Sequence, residues 1–322
     1  MSHWSQYIQV NDQTGTPGER LLVTKILDKG WESPDMRAKI ESLPALYEQR
    51  MREYEEIQGK PYSAPKSSKV TIDIDNSSGS GAYALDNKVI FSPRQSANLA
   101  YEDTKGQTIQ MSPTSVLLHE IAGHMANPDE TPRKDFENSK AALTSTFGTI
   151  LARQYPEEYK KIASDVGGIQ SLKTADDVDI HLKGMEQKLG PELFNRVVVT
   201  AQHMESEVWN DKVENQAVTT TDGIMNQVYK EGNPARGNYN VVPRIGQAYD
   251  IQSLLDSVAR PEAPASPRLD RPALLQGITM STSNTPGGFT GKADGCSDPA
   301  HDHGQDGMKV EPRPSSPPAF QR

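Results

Sequence analysis

The stretch SVLLHEIAGHMAN, residues 115–127, sets two imidazoles and a carboxylate inside an apolar run. His119, Glu120 and His124 are residue types that hold a zinc ion and move a proton on water. In the pattern H-E-x-x-H the histidines stand four apart, about 40° around an α-helix. Both rings then reach one ion, and the glutamate acts on the attacking water as general base. Here the histidines stand five apart, which splays them by about 140° on a regular α-helix. A π-type turn accommodates one more residue and restores a shared face. Gly123, between them, lowers the steric obstacle to that distortion. The spacing therefore predicts a metal site only on a locally widened helix. Val116, Leu117, Leu118, Ile121, Ala122 and Met125 predict burial, where three ionisable groups are costly unless they share a partner such as a metal. The competing reading is an ordinary buried helix whose histidines make hydrogen bonds.

A catalytic zinc takes three protein ligands and keeps one position open. With Glu120 reserved as the base, the third ligand must come from elsewhere. The helical pattern from about Leu193 puts His203, Glu207, Asn210 and Glu214 on one face, at i, i+4, i+7 and i+11. On its own, that stripe reads as a solvated helix face, and only the upstream motif makes Glu214 a ligand candidate. In the segment GNPARGNY, Arg236 and Tyr239 are candidates to donate to the negative charge that develops on a carbonyl oxygen during hydrolysis.

The flanking elements must position these groups. Ser112 or Thr114 can cap the motif helix, with Pro113 in its first turn. KVTIDID, residues 69–75, alternates apolar and polar residues as a half-buried strand does. AYALDNKVIFSP, residues 82–93, reads as a hairpin turning at Asp86 and Asn87. Residues 33–57 have helical spacing, with Pro44 expected to divide them in two. Three further helical segments follow the motif, and 229–240 reads as a turn-rich loop. The expected architecture is α+β: a small antiparallel sheet packed on a zincin-like helical core. A flexible segment, 1–18, precedes the domain at 19–259, and a Pro-, Ser- and Gly-rich disordered tail, 260–322, follows it.

The 322 residues carry 34 basic and 43 acidic side chains, a net charge of −9 that argues against a general nucleic-acid binder. Cys296 is the single cysteine, so no intrachain disulfide can form. The opening MSHWSQYIQVNDQTGTPGER has neither the basic nor the apolar region of a cleavable secretory signal, and no apolar run approaches the length of a membrane span. His181 reads as a surface residue. His301 and His303, in DPAHDHG, lie in the expected tail and could meet a metal only adventitiously.

HEIAGH resembles the H-E-x-x-x-H motif of dipeptidyl peptidase III enzymes, which has glycine before the second histidine and binds zinc. A wider resemblance, over roughly residues 69–240, is to the NleD-type bacterial effector metallopeptidases. It rests on VIFSP, LLHEIAGHMAN, VENQAV and NQVYKEGNPARGNY. Glu214, Ala217 and Val218 fit that family's E-x-x-A-V element. Asn226, Pro234, Arg236 and Tyr239 fit its terminal signature, and Glu231 and Gly232 match it at a contracted spacing; this chain departs from the family in Tyr229, where the family has arginine, and in the extra residue between the histidines. The resemblance favours Glu214 over Glu207 as third ligand. It implies a zinc endopeptidase delivered by a type III-like route into a host cytoplasm and cleaving a host signalling protein; the chain is expected to act as a monomer. Two alternatives stay open: a non-catalytic relative that only binds its host protein, and a zinc hydrolase of non-peptide amides.

Overall fold

The computed structural model describes residues 3–264 apart from 66, 78–80, 86, 231 and 244–248, and at 85 and 237–243 the backbone alone. All of these lie in one compact unit, Met1–Pro267. Cys296, His301, His303 and the Pro-rich ending lie outside the described residues.

In chain order, a 3-10 turn at His3–Gln6 leads into β1 (Ile8–Val10), α1 (Pro17–Gly30), α2 (Pro34–Ile57), β2 (Val70–Ile74), β3 (Ala82–Leu85) and β4 (Lys88–Phe91). Then come α3 (Pro93–Ser96), β5 (Leu99–Asp103), β6 (Thr108–Gln110) and α4 (Pro113–Leu118), which runs directly into a π-helix, His119–Met125. After it follow α5 (Pro132–Ala141), a second π-helix (Ala142–Phe147), α6 (Gly148–Gln154), α7 (Pro156–Gly168), α8 (Ala175–Leu189) and α9 (Pro191–Tyr229). The described part closes with β7 (Arg236–Pro243), α10 (Ile251–Ser257) and β8 (Ala263–Pro264). The fold is thus mixed α+β, mainly helical with small sheets. Among the described residues no helix is long and apolar enough to cross a membrane.

One sheet has the order β1-β2-β4-β3 and the other β7-β5-β6-β8. The first is mixed rather than antiparallel: β1 and β4 run parallel to β2, and only the β3–β4 hairpin is antiparallel. β2 alternates buried Val70, Ile72 and Ile74 with half-buried Thr71 and Asp73, as its period of two predicts. Its apolar face, with Ile8, Val89 and Phe91, packs on Leu22, Ile26, Met36, Ile40 and Leu118. A second cluster, around Phe136, Phe147, Ile162, Met185, Phe194 and Ala201, holds the later helices together. At 39 residues, α9 spans about 58 Å. It contributes Phe194 and Val197 to one cluster and Ile224 and Met225 to the other.

Several expectations are corrected. The opening segment is held rather than loose: Ile8–Val10 pairs with Val70–Ile72, and the buried Trp4 indole donates to Asp28 at 2.7 Å. Two bulky apolar side chains, Trp4 and Ile8, anchor it, and the polar residues between them hid that anchoring. Pro44 lies inside one continuous helix. A proline forfeits one helical hydrogen bond, at a cost of roughly 3 kcal/mol, but Met36, Ile40 and Leu43 bury one face of α2 and hold it together. The loop expected at 229–240 becomes strand from Arg236 onward, because β5 offers it a partner edge. The segment from 260 does not begin as a free tail: β8 pairs with β6, and Glu262 is buried.

That buried carboxylate ties the chain's later part to the motif helix. Glu262 accepts from Tyr101 Oη (2.8 Å), Ser112 N (2.7 Å) and Ser112 Oγ (3.2 Å), and from the Ser115 hydroxyl. Ser112 is the N-cap of α4, so Glu262 braces the start of the helix that carries the histidines. Its negative charge suits the N-terminal end of a helix. Glu262→Ala strands at least three buried donors, at about 1–3 kcal/mol each and less than additively. Urea unfolding should show a loss of about 3–5 kcal/mol. A loss under about 1 kcal/mol would mean that the brace carries no strain-free advantage over water.

Candidate metal centre

The motif helix starts as the sequence predicts, with the Ser112 hydroxyl accepting from Ser115 N at 3.1 Å and Pro113 in the first turn. From His119 to Met125 the winding widens to a π-helix, shown by Ala126 N donating five residues back to Ile121 O at 2.8 Å. The extra residue is absorbed there, and both imidazoles turn to one side. Gly123 matters for packing as well as for winding. A Cβ on it would lie 2.6 Å from Ala217 Cβ and 3.0 Å from Ala217 Cα. That close approach brings α9, with Glu214 one turn before Ala217, over the two rings.

Three acceptor atoms converge. His119 Nε2 lies 3.3 Å from His124 Nε2 and 3.4 Å from Glu214 Oε2, and His124 Nε2 lies 3.5 Å from Glu214 Oε2. The rings meet nearly at right angles, at 79° with centroids 4.9 Å apart. Ligands bound at about 2.0–2.1 Å in tetrahedral directions stand about 3.3–3.4 Å from one another. The triangle therefore has the size that one such cation requires, and a fourth direction is left over.

The remaining ring nitrogens select the tautomers. Thr221 Oγ1 donates to Ala217 O at 2.8 Å, so toward His119 Nδ1, 3.3 Å away, it can only accept. His119 then carries its proton on Nδ1 and keeps the Nε2 lone pair. Glu130 faces His124 Nδ1 at 2.9 and 3.2 Å and fixes the same tautomer there. Carboxylate and hydroxyl partners behind the ligating rings are the usual means of aiming a metal-binding imidazole. Asn127 Nδ2 donates to Glu130 at 3.0 Å and steadies it.

The electrostatics favour positive charge at this point. Burial opposes a charge on His124, but Glu130 and Glu214 outweigh it and raise the ring's proton affinity well above the usual range. Burial of Glu214 is likewise outweighed by the two rings, which hold its carboxyl well below the ordinary value. His119 is lowered, first by burial. Glu120 is pushed up to about 7, mainly by burial, while the backbone N–H of Ala84 on β3 donates to its carboxylate. Its oxygen lies within 4.8 Å of the imidazole nitrogens, so His119, Glu120 and His124 could together hold a metal ion. Glu214 fits the ligand role better, because one of its oxygens stands within 3.5 Å of both rings.

His203, Glu207 and Asn210 do not join this centre. His203 and Glu207 are 56% and 60% exposed and pair with each other at 3.3 Å on the solvated face of α9. Asn210 is exposed too. Arg236 is buried, its side chain 3% exposed. Its backbone N donates to Asp222 at 2.9 Å, its guanidinium lies 5.4 Å over the Tyr101 ring, and its Nη2 has no hydrogen-bond partner among the described residues. From that position its charge acts on His119. The backbone of Tyr239 lies in β7; its side chain is outside the described residues.

Sequence reasoning missed Glu130, Thr221 and Glu262. Glu130 had a local signal: an acid six residues past His124, just after the turn Asn127–Pro128–Asp129. Thr221 had a weaker one, two helical turns beyond Glu214 on the same face. Compared with known protein families, curated proteins and solved structures, the chain matches none.

Proposed function

We propose that this protein is a zinc-dependent endopeptidase with a zincin-like core. The observation that supports the reading best is the triangle of His119 Nε2, His124 Nε2 and Glu214 Oε2, with edges of 3.3–3.5 Å, beside a carboxylate that is not needed as a ligand. Two imidazoles and a carboxylate suit zinc and are the ligand set of a hydrolytic rather than a closed structural site. Bound there, zinc would polarise a carbonyl and acidify a water. Glu120 takes the proton from the attacking water and delivers it to the leaving amine nitrogen. β3 ends its sheet beside the centre, and Ala84 N–H already orients Glu120, so an extended peptide laid along that edge would pass the base. Tyr239, on β7, is the proposed donor to the carbonyl oxygen.

Delivery through a type III-like route and cleavage of a host signalling protein in the host cytoplasm follow from the resemblance to NleD-type effectors. They are part of the same proposal.

The test is metal content joined to cleavage. The purified chain should hold about one zinc by elemental analysis. It should cut members of a panel of labelled proteins, lose both properties on dialysis against a chelator, and regain both with zinc. A chain without stoichiometric metal ends the proposal. A metal-loaded chain that leaves every peptide bond of the panel intact removes the peptidase and favours a non-peptide amide.

A further inference from the structure

Arg50, from α2, reaches the far end of the π-helix and donates to a row of carbonyls there, of which His124 O and Asn127 O also accept from Asn127 N at 3.0 Å and Glu130 N at 3.3 Å. Its Nε donates to Glu130 O at 2.9 Å, its Nη1 to Met125 O at 2.7 Å, and its Nη2 to Asn127 O at 3.0 Å and His124 O at 3.2 Å. The end of a helix leaves carbonyls without intrahelical partners, and a widened helix that turns straight into a loop leaves them close together. A single planar guanidinium spans all four. Two of those carbonyls belong to His124 and Glu130, the pair whose side chains meet at 2.9 Å. One rigid fork therefore holds both ends of the imidazole–carboxylate contact.

We infer that Arg50 is a positioning residue for the metal centre: its fork fixes the turn from His124 to Glu130, so that Glu130 aims the His124 ring. The inference rests on the proposed zinc site. Arg50 touches no substrate and acts through the backbone. Its charge alone is not enough, because a lysine ammonium is a point donor and cannot bridge four carbonyls. Nearby, Lys39 Nζ donates to Ala126 O at 3.2 Å, a bond in the same turn that involves neither His124 nor Glu130.

The test compares R50M, R50K and K39M with the wild-type chain. Zinc affinity is read by chelator competition, and ligand geometry by the visible absorption of the cobalt(II) form. R50M and R50K should bind zinc about 10–100-fold more weakly, with a weakened and shifted cobalt band. K39M should stay within about twofold of wild type. Wild-type affinity and spectrum in a folded R50M or R50K overturn the inference. If neither variant folds, the intact protein decides. A slowly exchanging Arg50 Nε–H in nitrogen-15 NMR supports the fork, and a freely rotating, rapidly exchanging guanidinium overturns it. A wild-type chain that binds no metal defeats the zinc proposal, whereas bound metal with unmoved variants defeats Arg50 alone.

Discussion

Glu120→Gln should keep its zinc and lose cleavage, with kcat falling by about 10³-fold, within the range that general acid–base groups contribute. Glutamine has nearly the shape of glutamate, and its amide oxygen can still accept from Ala84 N–H, so the local geometry survives. What disappears is the capacity to take a proton from water and return it to the amine. The same variant separates two ligand assignments. His119, Glu120 and His124 cluster closely enough to hold an ion by themselves. If Glu120 were the third ligand, its amide would cost metal affinity. With Glu214 as the third ligand, Glu120→Gln retains zinc while Glu214→Gln loses most of it. Titration with a zinc indicator and a progress curve on one cleaved protein check both halves. Wild-type kcat in Glu120→Gln would remove this mechanism.

Gly123→Ala should damage the metal centre although it adds only one methyl group. On an exposed helix, glycine to alanine stabilises by about 0.5–1 kcal/mol. Here the new methyl would lie 2.6 Å from Ala217 Cβ and 3.0 Å from Ala217 Cα, and the latter belongs to a backbone that cannot swing aside. Overpacking of that kind costs typically 1–3 kcal/mol, so the packing term outweighs the propensity gain. The helices relieve it by separating, and Glu214, one turn from Ala217, moves off the two rings. Zinc affinity should fall about 100-fold, with a lower Tm. Adding Ala217→Gly removes the closest contact and should restore part of the affinity. A Gly123→Ala variant with undiminished zinc binding would show that the approach of α9 does not set the third ligand.

The residues of the centre divide by how far the sequence can see. His119, Glu120 and His124 were legible because their chemistry is local. Their spacing demanded a widened turn, and the chain winds as a π-helix over His119–Met125. The Ser112 cap and the alternation of β2 were legible for the same reason, since capping and periodicity act within a few residues. Glu214 could be named but not separated from Glu207 by helical spacing. The distinction comes from packing: at Gly123 and Ala217 two helices meet without intervening side chains, while one face of α9 at Glu207 is left in solvent.

What the sequence determined by itself was a short amphipathic helix with a histidine–glutamate–histidine set and the need for an unusual turn. Tertiary structure alone decided which distant groups complete it: Thr221 behind one ring, Glu130 behind the other, Arg50 at the end of the turn and Glu262 at the start of the helix. Arg50 and Glu262 lie 74–80 and 147–161 residues from the side chains and backbone groups that these contacts join. No periodicity links such positions. They are joined because buried carbonyls, hydroxyls and N–H groups must find partners when the core closes, and the partner is whichever donor or acceptor the packing brings within reach.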